Sequence, residues 1–228
     1  MKKKHVIVVG SGKLASAVFE ELGRDEGILV SSWDTKAANS MVNSIVIHAG
    51  SGRQLPEVYD FCSLSKSILV ELSTGTGTAD RDLLFPVVVC PNTSILLIKF
   101  LSLWKQFGTL TDRFDISILE SHQNTKKSLP GTAVEIADAI GFPREEILSV
   151  RDQDVQSKEI GIPGEYLSKH AFHRIEIEDG TVSIKIETKV LGHDSYADGV
   201  RQIVSSIGKI ELENRTYQIT EFARNGWI

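Results

Sequence analysis

The sequence has few of the residues that tie a chain together covalently or through metal. It contains two cysteines, Cys62 and Cys90, among 228 residues, and no Cys-x-x-Cys pair. Structural zinc sites and disulfide frameworks need clusters of cysteine or histidine at close spacing. We therefore expect two free thiols, no metal site and a cytoplasmic location, where thiols stay reduced.

Long apolar runs and an excess of positive charge are also absent. No run approaches the ~20 apolar residues that span a membrane. The basic start is followed by the short apolar run Val6–Val9, whereas a secretory signal needs roughly 7–15 apolar residues. The formal net charge is -5 and the apolar fraction is 41%. The sequence therefore predicts a folded core and neither a membrane nor a nucleic acid as partner.

Short apolar runs alternate with helical patterns in the first third of the chain. The predicted strands are His5–Val9, Ile28–Trp33, Ser44–His48, Ser67–Leu72 and Pro86–Cys90, and the first predicted helix is Leu14–Gly23. Strands that alternate with helices indicate parallel pairing with right-handed crossovers.

The pattern changes after residue 92. Helical periodicity marks the segments Ile95–Phe107, Thr132–Ile140 and Tyr196–Ile207, and Asp115–Leu119 reads as a strand. The runs Ala171–Ile177 and Thr181–Leu191 alternate polar and apolar residues around a turn that ends in Gly180, which predicts a β-hairpin.

These patterns predict an α/β protein of two domains. The first is a Rossmann-type dinucleotide-binding domain, formed by residues 1–92 and 196–228. The second is a smaller α+β domain, residues 93–195, with an antiparallel or mixed sheet.

A glycine loop lies between the first predicted strand and helix. Together with Ala15, the segment Gly10–Gly12 matches the pattern G-x-G-x-x-A. The first glycine allows a tight turn, the second lets backbone N–H groups approach a pyrophosphate, and the small third position lets helix and strand pack closely. The predicted cofactor-binding residues of this loop are Gly10, Gly12, Lys13 and Leu14. A purely structural glycine turn is the alternative.

Asp34 follows the second predicted strand, where an acidic residue of a dinucleotide fold hydrogen-bonds the adenosine ribose. That contact favours NAD, whereas Lys36 would meet the 2′-phosphate of NADP or be a solvated surface lysine. The sequence therefore predicts NADH, NADPH or both as cofactor. Two further glycine-containing loops, 48–52 and 73–77, leave predicted strand ends and read equally well as cofactor loops or plain loops.

The segment 120–133 carries the residues best suited to chemistry. His122 would give a proton as hydride arrives, and Lys126 would neutralise a substrate carboxylate. Thr132 is the predicted N-cap of the next helix, with Glu135 three residues on completing a capping box. Exposed N–H groups at that helix start suit an anion. An ordinary polar loop is the alternative.

This segment resembles the substrate loop of the dihydrodipicolinate reductase family, which has the form E-A/S-H-H-x-x-K-x-D-A-P-S-G-T-A. The matching residues are Glu120, His122, Lys126, Pro130, Gly131, Thr132 and Ala133. Further matches in the same order are Thr74-Gly75, Pro91-Asn92-Thr93-Ser94, His173, Lys189 and Tyr196-Ala197-Asp198-Gly199.

The resemblance implies a lysine-pathway reductase that acts on a cyclic unsaturated dicarboxylate. It implies that His122 donates the proton, that Lys126 contacts the substrate, and that Gly131 and Thr132 hold a substrate carboxylate. It implies a tetramer built through the sheet of the second domain. The further cofactor-binding residues that follow from it are Ser73, Thr74, Gly75, Pro91, Asn92 and Thr93.

The substrate loop also departs from the family pattern. Gln123, which we include among the substrate-binding residues, stands where the family has a second histidine, and Ser128 replaces its aspartate. The serine before Gly131 is missing. Two alternatives therefore stay open: a reductase of the same fold for a different imine or enone acid, and a non-catalytic NAD(P)-binding sensor. A sensor needs no proton donor, so the presence of both His122 and Lys126 argues against it.

Overall fold

The computed structural model describes residues 3–33, 42–108, 110, 113–192 and 194–228, with the backbone alone for residues 107, 194 and 195. The chain divides into two compact units. The first comprises Met1–Ile98 and Asp194–Ile228, and the second comprises Lys99–His193. The sequence-based proposal had placed these divisions after residues 92 and 195.

The first unit begins with alternating strands and helices. They are β1 (Lys4–Val9), α1 (Lys13–Gly23), β2 (Ile28–Ser32), β3 (Ile45–His48), α2 (Leu55–Ser65), β4 (Ile68–Glu71), a 3-10 turn (Thr78–Asp80), β5 (Val87–Val89) and α3 (Ile95–Phe107), whose later residues belong to the second unit.

The second unit holds a smaller set of elements. They are β6 (Asp115–His122), α4 (Gly131–Ile140), a 3-10 turn (Arg144–Glu146), β7 (Leu148–Val150), α5 (Gln153–Lys158), a 3-10 turn (Gly164–Tyr166), β8 (His170–Glu178) and β9 (Ser183–Leu191). The chain then returns to the first unit with α6 (Asp194–Ile207), β10 (Thr216–Gln218) and α7 (Ile219–Arg224).

The six strands of the first unit form one parallel sheet in the order β10-β5-β4-β3-β1-β2. Successive side chains of β1 point to opposite faces. Val8 packs in one apolar cluster with Val18 of α1, whereas Ile7 packs in another with Val58 of α2. Both faces of the sheet are thus covered, as a parallel sheet requires, and the predicted Rossmann-type α/β architecture is confirmed.

The sheet of the second unit is mixed, in the order β7-β6-β8-β9. β7 runs parallel to β6, whereas β8 is antiparallel to both β6 and β9. Strands β8 and β9 form the predicted hairpin, with Glu178 paired to Ser183 across the turn. The predicted α+β character, with a mixed sheet, is therefore also confirmed.

Two local predictions around the substrate loop are wrong. Strand β6 runs past Leu119 as far as His122, because its last residues pair with the start of β8. Helix α4 begins at Gly131 with Pro130 as N-cap and without a side-chain cap. The Pro130 carbonyl accepts the first intrahelical hydrogen bond, so Thr132 is not the N-cap and there is no capping box.

Neither cysteine forms a disulfide: Cys62 and Cys90 are both buried free thiols. Burial raises the pKa of Cys62 to about 12. Within the described ranges, no group of three or more His, Cys, Asp or Glu side chains is arranged to hold a metal ion. The described helices also include none with the length and apolar character needed to cross a bilayer.

Candidate active site

Gly10 occupies a position that excludes every side chain. Its φ of +129° lies in a region that L-residues rarely adopt, and a Cβ would stand 2.5 Å from the Ala49 carbonyl oxygen. The loop after β1 therefore packs against the loop after β3 at Gly10, where the absence of a side chain allows the two backbones to approach closely. This close approach explains why the first glycine of the motif is needed.

Gly12 differs from Gly10, because a Cβ added to it would meet nothing within 4 Å. It is the N-cap of α1, in an extended conformation, beside the first-turn N–H groups that a helix leaves without partners. A side chain at Gly12 would therefore enter open space next to these donors. Lys13 and Leu14 form the exposed start of the same helix.

A cavity of about 680 Å³ lies at this end of the sheet. It is lined by Gly10, Ser11, Gly12, Ala49, Gly50, Ser51, Arg53 and Gln54. Bare glycine backbone, a helix N-terminus and an arginine suit a phosphate-containing ligand. The residues present thus fit the pyrophosphate of a dinucleotide.

Arg53 is a lining residue that sequence reasoning missed. It directly follows the glycine-containing loop 48–52, and its Nε donates to Ser51 Oγ at 3.0 Å. The sequence signal that could have identified it is a positively charged residue directly after a glycine-containing loop at a strand end. Asp34 and Lys36, the predicted ribose and 2′-phosphate contacts, lie outside the described residues.

The loop after β4 carries three of the predicted cofactor residues. The Ser73 hydroxyl donates to the Gly50 carbonyl at 2.7 Å, which connects this loop to the one that lines the cavity. Thr74 and Gly75 are exposed, and Gly75 adopts a φ of +73°. Backbone amides and hydroxyls of this loop are thus available beside the sheet's carboxyl end.

The segment after β5 is held by hydrogen bonds within its own unit. The Asn92 side chain accepts from the Ser94 N–H at 2.9 Å, and the buried Thr93 hydroxyl donates to the Tyr196 carbonyl at 2.8 Å. A Cβ on Gly199 would collide with the Thr93 carbonyl. Pro91 is exposed. The Thr93 hydroxyl therefore serves a structural hydrogen bond, whereas Pro91 and Asn92 are accessible to a ligand.

In the second unit, His122 is the last residue of β6 and its side chain is 12% exposed. Its Nδ1 lies 2.7 Å from Oε2 of Glu120, a fully buried carboxylate. An ionised carboxylate only accepts, so His122 Nδ1 is the donor and carries hydrogen. The Nε2 atom of His122 takes no part in this bond and is the ring nitrogen available for proton exchange.

Glu120 has two more donors besides His122. Arg151 Nη2 donates to Oε1 at 2.6 Å, and the Ser149 hydroxyl donates to the same oxygen. Burial by itself would raise the pKa of Glu120, but the hydrogen bonds from His122, Arg151 and Ser149 lower it to about 2. The carboxylate is therefore ionised at neutral pH.

His173 lies beside His122, with the two ring centroids 5.6 Å apart. Its Nδ1 is 2.9 Å from the Thr188 hydroxyl. Burial, and then the neighbouring His122, lower the pKa of His173 to about 3. A neutral ring at this position adds no positive charge next to His122.

The remaining predicted substrate residues follow β6 directly. The Lys126 N–H donates to the Gln123 carbonyl at 3.0 Å, closing a tight turn, and both side chains are partly exposed. Gly131 and Thr132 form the first turn of α4, whose N–H groups lack intrahelical partners. The second unit thus presents an imidazole, an ammonium and helix N–H donors within one short stretch.

Comparison with known proteins points to one family. The family model described as dihydrodipicolinate reductase, C-terminus, matches residues 96–222. A 4-hydroxy-tetrahydrodipicolinate reductase of Geotalea daltonii is 27% identical over 227 residues, covering 87% of this chain and 84% of that protein. The chloroplastic 4-hydroxy-tetrahydrodipicolinate reductase 1 of Arabidopsis thaliana is 26% identical over 191 residues, which are 74% of this chain and 55% of that protein. The chain thus spans about half the length of such plant relatives.

Solved structures show the same fold. A dipicolinate-bound dihydrodipicolinate reductase from Paenisporosarcina sp. TG-14 superposes with a TM-score of 0.63 at 18% identity, covering 95% of this chain and 97% of that one. The diaminopimelate dehydrogenase of C. glutamicum reaches a TM-score of 0.54 at 10% identity, covering 97% and 94%. The match of the family model over more than half of the sequence confirms the family resemblance: the chain belongs to the dihydrodipicolinate reductase family.

Proposed function

We propose that the protein is an NAD(P)H-dependent reductase of lysine and diaminopimelate biosynthesis, acting on a cyclic unsaturated dicarboxylate of the dihydrodipicolinate type. The observation that carries the proposal is the arrangement at the end of β6. Glu120 orients the His122 side chain there. Lys126 follows His122 by four residues, and the N-terminus of α4 comes shortly after. The relatives in the family are named as reductases, which agrees with this chemistry.

The first unit would bind the cofactor. Gly10, Gly12, Lys13 and Leu14 would surround the pyrophosphate through backbone N–H groups, with Arg53 as a nearby cation. Asp34 and Lys36 would contact the adenosine ribose or its 2′-phosphate. The cofactor, when bound, supplies a hydride. The loop residues proposed to lie along its nicotinamide half are Ser73, Thr74, Gly75, Pro91, Asn92 and Thr93.

The second unit would bind the substrate and supply the proton. Lys126 would pair with one carboxylate, and the N–H groups of Gly131 and Thr132 would donate hydrogen bonds to another at the α4 N-terminus. Gln123 would add an amide contact. Reduction of a C=N or C=C bond consumes one hydride and one proton. His122, as the imidazolium with hydrogen on both ring nitrogens, would deliver that proton from Nε2 and be left as the neutral Nδ1–H tautomer.

We further propose a cytoplasmic homotetramer assembled through the mixed sheet. At the edge strand β9, Ile184 is 48% exposed, and Val182, two residues earlier in the chain, is 56% exposed. Exposed apolar side chains on an edge strand are suited to contact with the sheet of another subunit. Size-exclusion chromatography with light scattering measures the mass, and a monomer at micromolar concentration would contradict the assembly.

The substrate loop supports a second candidate. Gln123 and Ser128 replace a histidine and an aspartate of the family pattern, and the loop is one residue shorter. These changes lie beside the proposed carboxylate contacts and away from the glycine loop. They favour, as the alternative substrate, another imine or enone acid reduced by the same hydride and proton transfer.

One assay separates these functions. The cyclic dicarboxylate is generated in situ by the condensing synthase, and oxidation of NADH or NADPH is followed by absorbance. Growth rescue of a strain without its dihydrodipicolinate reductase provides the cellular counterpart. Turnover and rescue support the lysine-pathway assignment. Cofactor binding without oxidation of this substrate favours the alternative acid, and failure with every imine and enone acid tried would leave a cofactor-binding sensor.

A further inference from the structure

A partly buried hydrogen-bond network connects the His122 side chain to the Lys126 backbone through two side chains outside the proposed substrate contacts. Its first member, Glu120, lies two residues before His122 on β6, so both side chains project from the same face of the strand. The Oε2 atom of Glu120 lies 2.7 Å from His122 Nδ1. The Glu120 side chain is completely buried, which keeps water from competing for this bond.

The second member, Arg151, follows β7 and bridges two distant points of the site. Its Nη2 donates to Glu120 Oε1 at 2.6 Å, while its Nε donates to the Lys126 carbonyl oxygen at 3.0 Å. A third bond runs from Nη1 to the Val150 carbonyl at 3.0 Å. The planar guanidinium spans all three acceptors at once, which the single ammonium of a lysine does not do.

The backbone at the end of β6 is held from another side. Gln156, fully buried on α5, donates through Nε2 to the His122 carbonyl at 2.7 Å and to the Val150 carbonyl at 3.1 Å. The main chain of His122 and that of Lys126 are thus both fixed by side chains from the segment 150–156. With the backbone fixed, the Glu120 carboxylate determines the orientation of the imidazole and which ring nitrogen carries hydrogen.

We propose that Glu120 and Arg151 are a positioning pair that holds His122 as the Nδ1–H tautomer, with Nε2 directed to the substrate, and sets the backbone of Lys126 in register with it. The inference rests on the proposed function for the roles of His122 and Lys126. The physical reason is that an ionised carboxylate accepts and does not donate, which excludes a neutral imidazole with hydrogen on Nε2 alone. Neither residue of the pair touches the substrate.

The tautomer can be measured without any substrate. Nitrogen-15 NMR of the protein with labelled histidines distinguishes a ring nitrogen that carries hydrogen from one that does not, and a His122→Asn variant assigns the signals. We expect the Nδ1–H tautomer in the wild type at a pH where the ring is neutral. In Glu120→Gln the amide N–H₂ group can donate, and we expect the signal to move toward the Nε2–H tautomer.

An Nε2–H tautomer in the wild type would overturn the inference, as would unchanged signals in a folded Glu120→Gln variant. If that variant does not fold, the wild-type spectrum alone decides. Because no turnover is involved, this result is independent of the proposed reaction, which would fail separately in the NAD(P)H oxidation assay.

Kinetics give a second test that a structural role would not reproduce. Glu120→Gln should lower kcat by up to about 10⁴-fold, the loss that follows when a carboxylate-to-amide change imposes the wrong histidine tautomer, and should leave the KM for NAD(P)H unchanged. Arg151→Lys should mainly raise the KM for the dicarboxylate, since it releases the Lys126 carbonyl. Arg174→Lys, at an ion pair with Glu187 whose arginine is as exposed as Arg151, is the matched control and should retain activity. If both test variants lowered kcat and raised KM to the same extent, in proportion to a drop in melting temperature, the pair would have only a structural role.

Discussion

His48 Nδ1 lies 2.7 Å from Oε1 of Glu71, and both side chains are buried at the carboxyl ends of β3 and β4. The Glu71 carboxylate also accepts from the Ser73 N–H at 2.8 Å and from the Thr78 hydroxyl at 3.2 Å. Since the Ser73 hydroxyl binds the Gly50 carbonyl, the pair holds together two loops of the first unit. His48 is completely buried, which fits a structural role.

Removal of the Glu71 carboxylate should therefore be costly. Glu71→Ala leaves His48, Ser73 and Thr78 without their acceptor in a buried place, and we expect a loss of about 3–5 kcal/mol in the free energy of unfolding. Urea denaturation measures it. Glu26→Ala, at an exposed position, is the control and should change stability by less than about 0.5 kcal/mol. A loss below about 1 kcal/mol in Glu71→Ala would contradict the role of the pair.

Substitutions at the two motif glycines should have different effects, one on stability and the other on cofactor binding. Gly10→Ala forces a Cβ against the Ala49 carbonyl at a positive φ, and we expect destabilisation of about 2–4 kcal/mol. Gly12→Val meets open space and should remain folded, with a loss of about 1 kcal/mol at the helix N-cap. Thermal shift with NADH should show no stabilisation of Gly12→Val. Full stabilisation by NADH in that variant would argue against the cofactor loop.

Stability should depend on pH through His173. Below about pH 6.5 the unfolded chain binds a proton at residue 173 that the folded chain does not bind until about pH 3. The free energy of unfolding should therefore fall as pH falls, by about 1.4 kcal/mol per pH unit from this group between pH 6 and 4. His173→Gln removes the titrating ring, and its urea-denaturation profile should be flatter by that slope. Parallel profiles would show that His173 binds its proton equally in both states.

Cofactor preference should depend on the charges at residues 34 and 36. Lys36→Ala should weaken NADPH binding more than NADH binding, by about 1 kcal/mol for one partly solvated charge contact. Isothermal titration calorimetry with both cofactors measures the difference. Lys66→Ala, at the exposed end of α2, is the control for a general loss of positive charge. Equal weakening of both cofactors in Lys36→Ala would make Lys36 an ordinary surface lysine.

The two proposed chemical groups should respond differently to removal. His122→Ala should lower kcat about 10²- to 10⁴-fold, the usual contribution of a positioned proton donor, without changing NAD(P)H affinity. Lys126→Ala should impair both kcat and the KM for the dicarboxylate, because its charge contacts ground and transition states alike. The double variant should be little worse than the poorer single one. Lys127→Ala, exposed in the same loop, should stay active. Full activity of His122→Ala would refute the assignment.

The sequence predicted the parts of the molecule whose signals are local. Strand and helix alternation located β1 to β5, and the turn at Gly180 located the hairpin. The helix Leu55–Ser65 was not singled out, although its buried Leu55, Val58, Phe61 and Cys62 repeat at helical spacing. Strand β7 and helix α5 have three and six residues, which is too short for a periodic signal.

The candidate site shows the same division between residues with a local sequence signal and residues without one. His122 and Lys126 stand in one short, recognisable segment of the sequence, at the end of β6 and just after it. Arg151, which joins Glu120 thirty-one residues away in sequence, carries no local pattern, because its position is determined by the pairing of β7 with β6. The N-cap at Pro130 was missed because a threonine two residues later matched the capping pattern equally well.

The parallel sheet is completed by β10, which pairs with β5 although the whole second unit stands between them in the chain. Synthesis at roughly 5–20 residues per second leaves β5 as an unpaired sheet edge on the ribosome for several seconds, while the continuous segment Lys99–His193 is being made. Unpaired edges are where neighbouring chains associate wrongly. The apolar run Val87–Val89 is thus exposed along one edge during this interval, and charged substitutions in β10 should reduce soluble yield more than they reduce the stability of the finished fold.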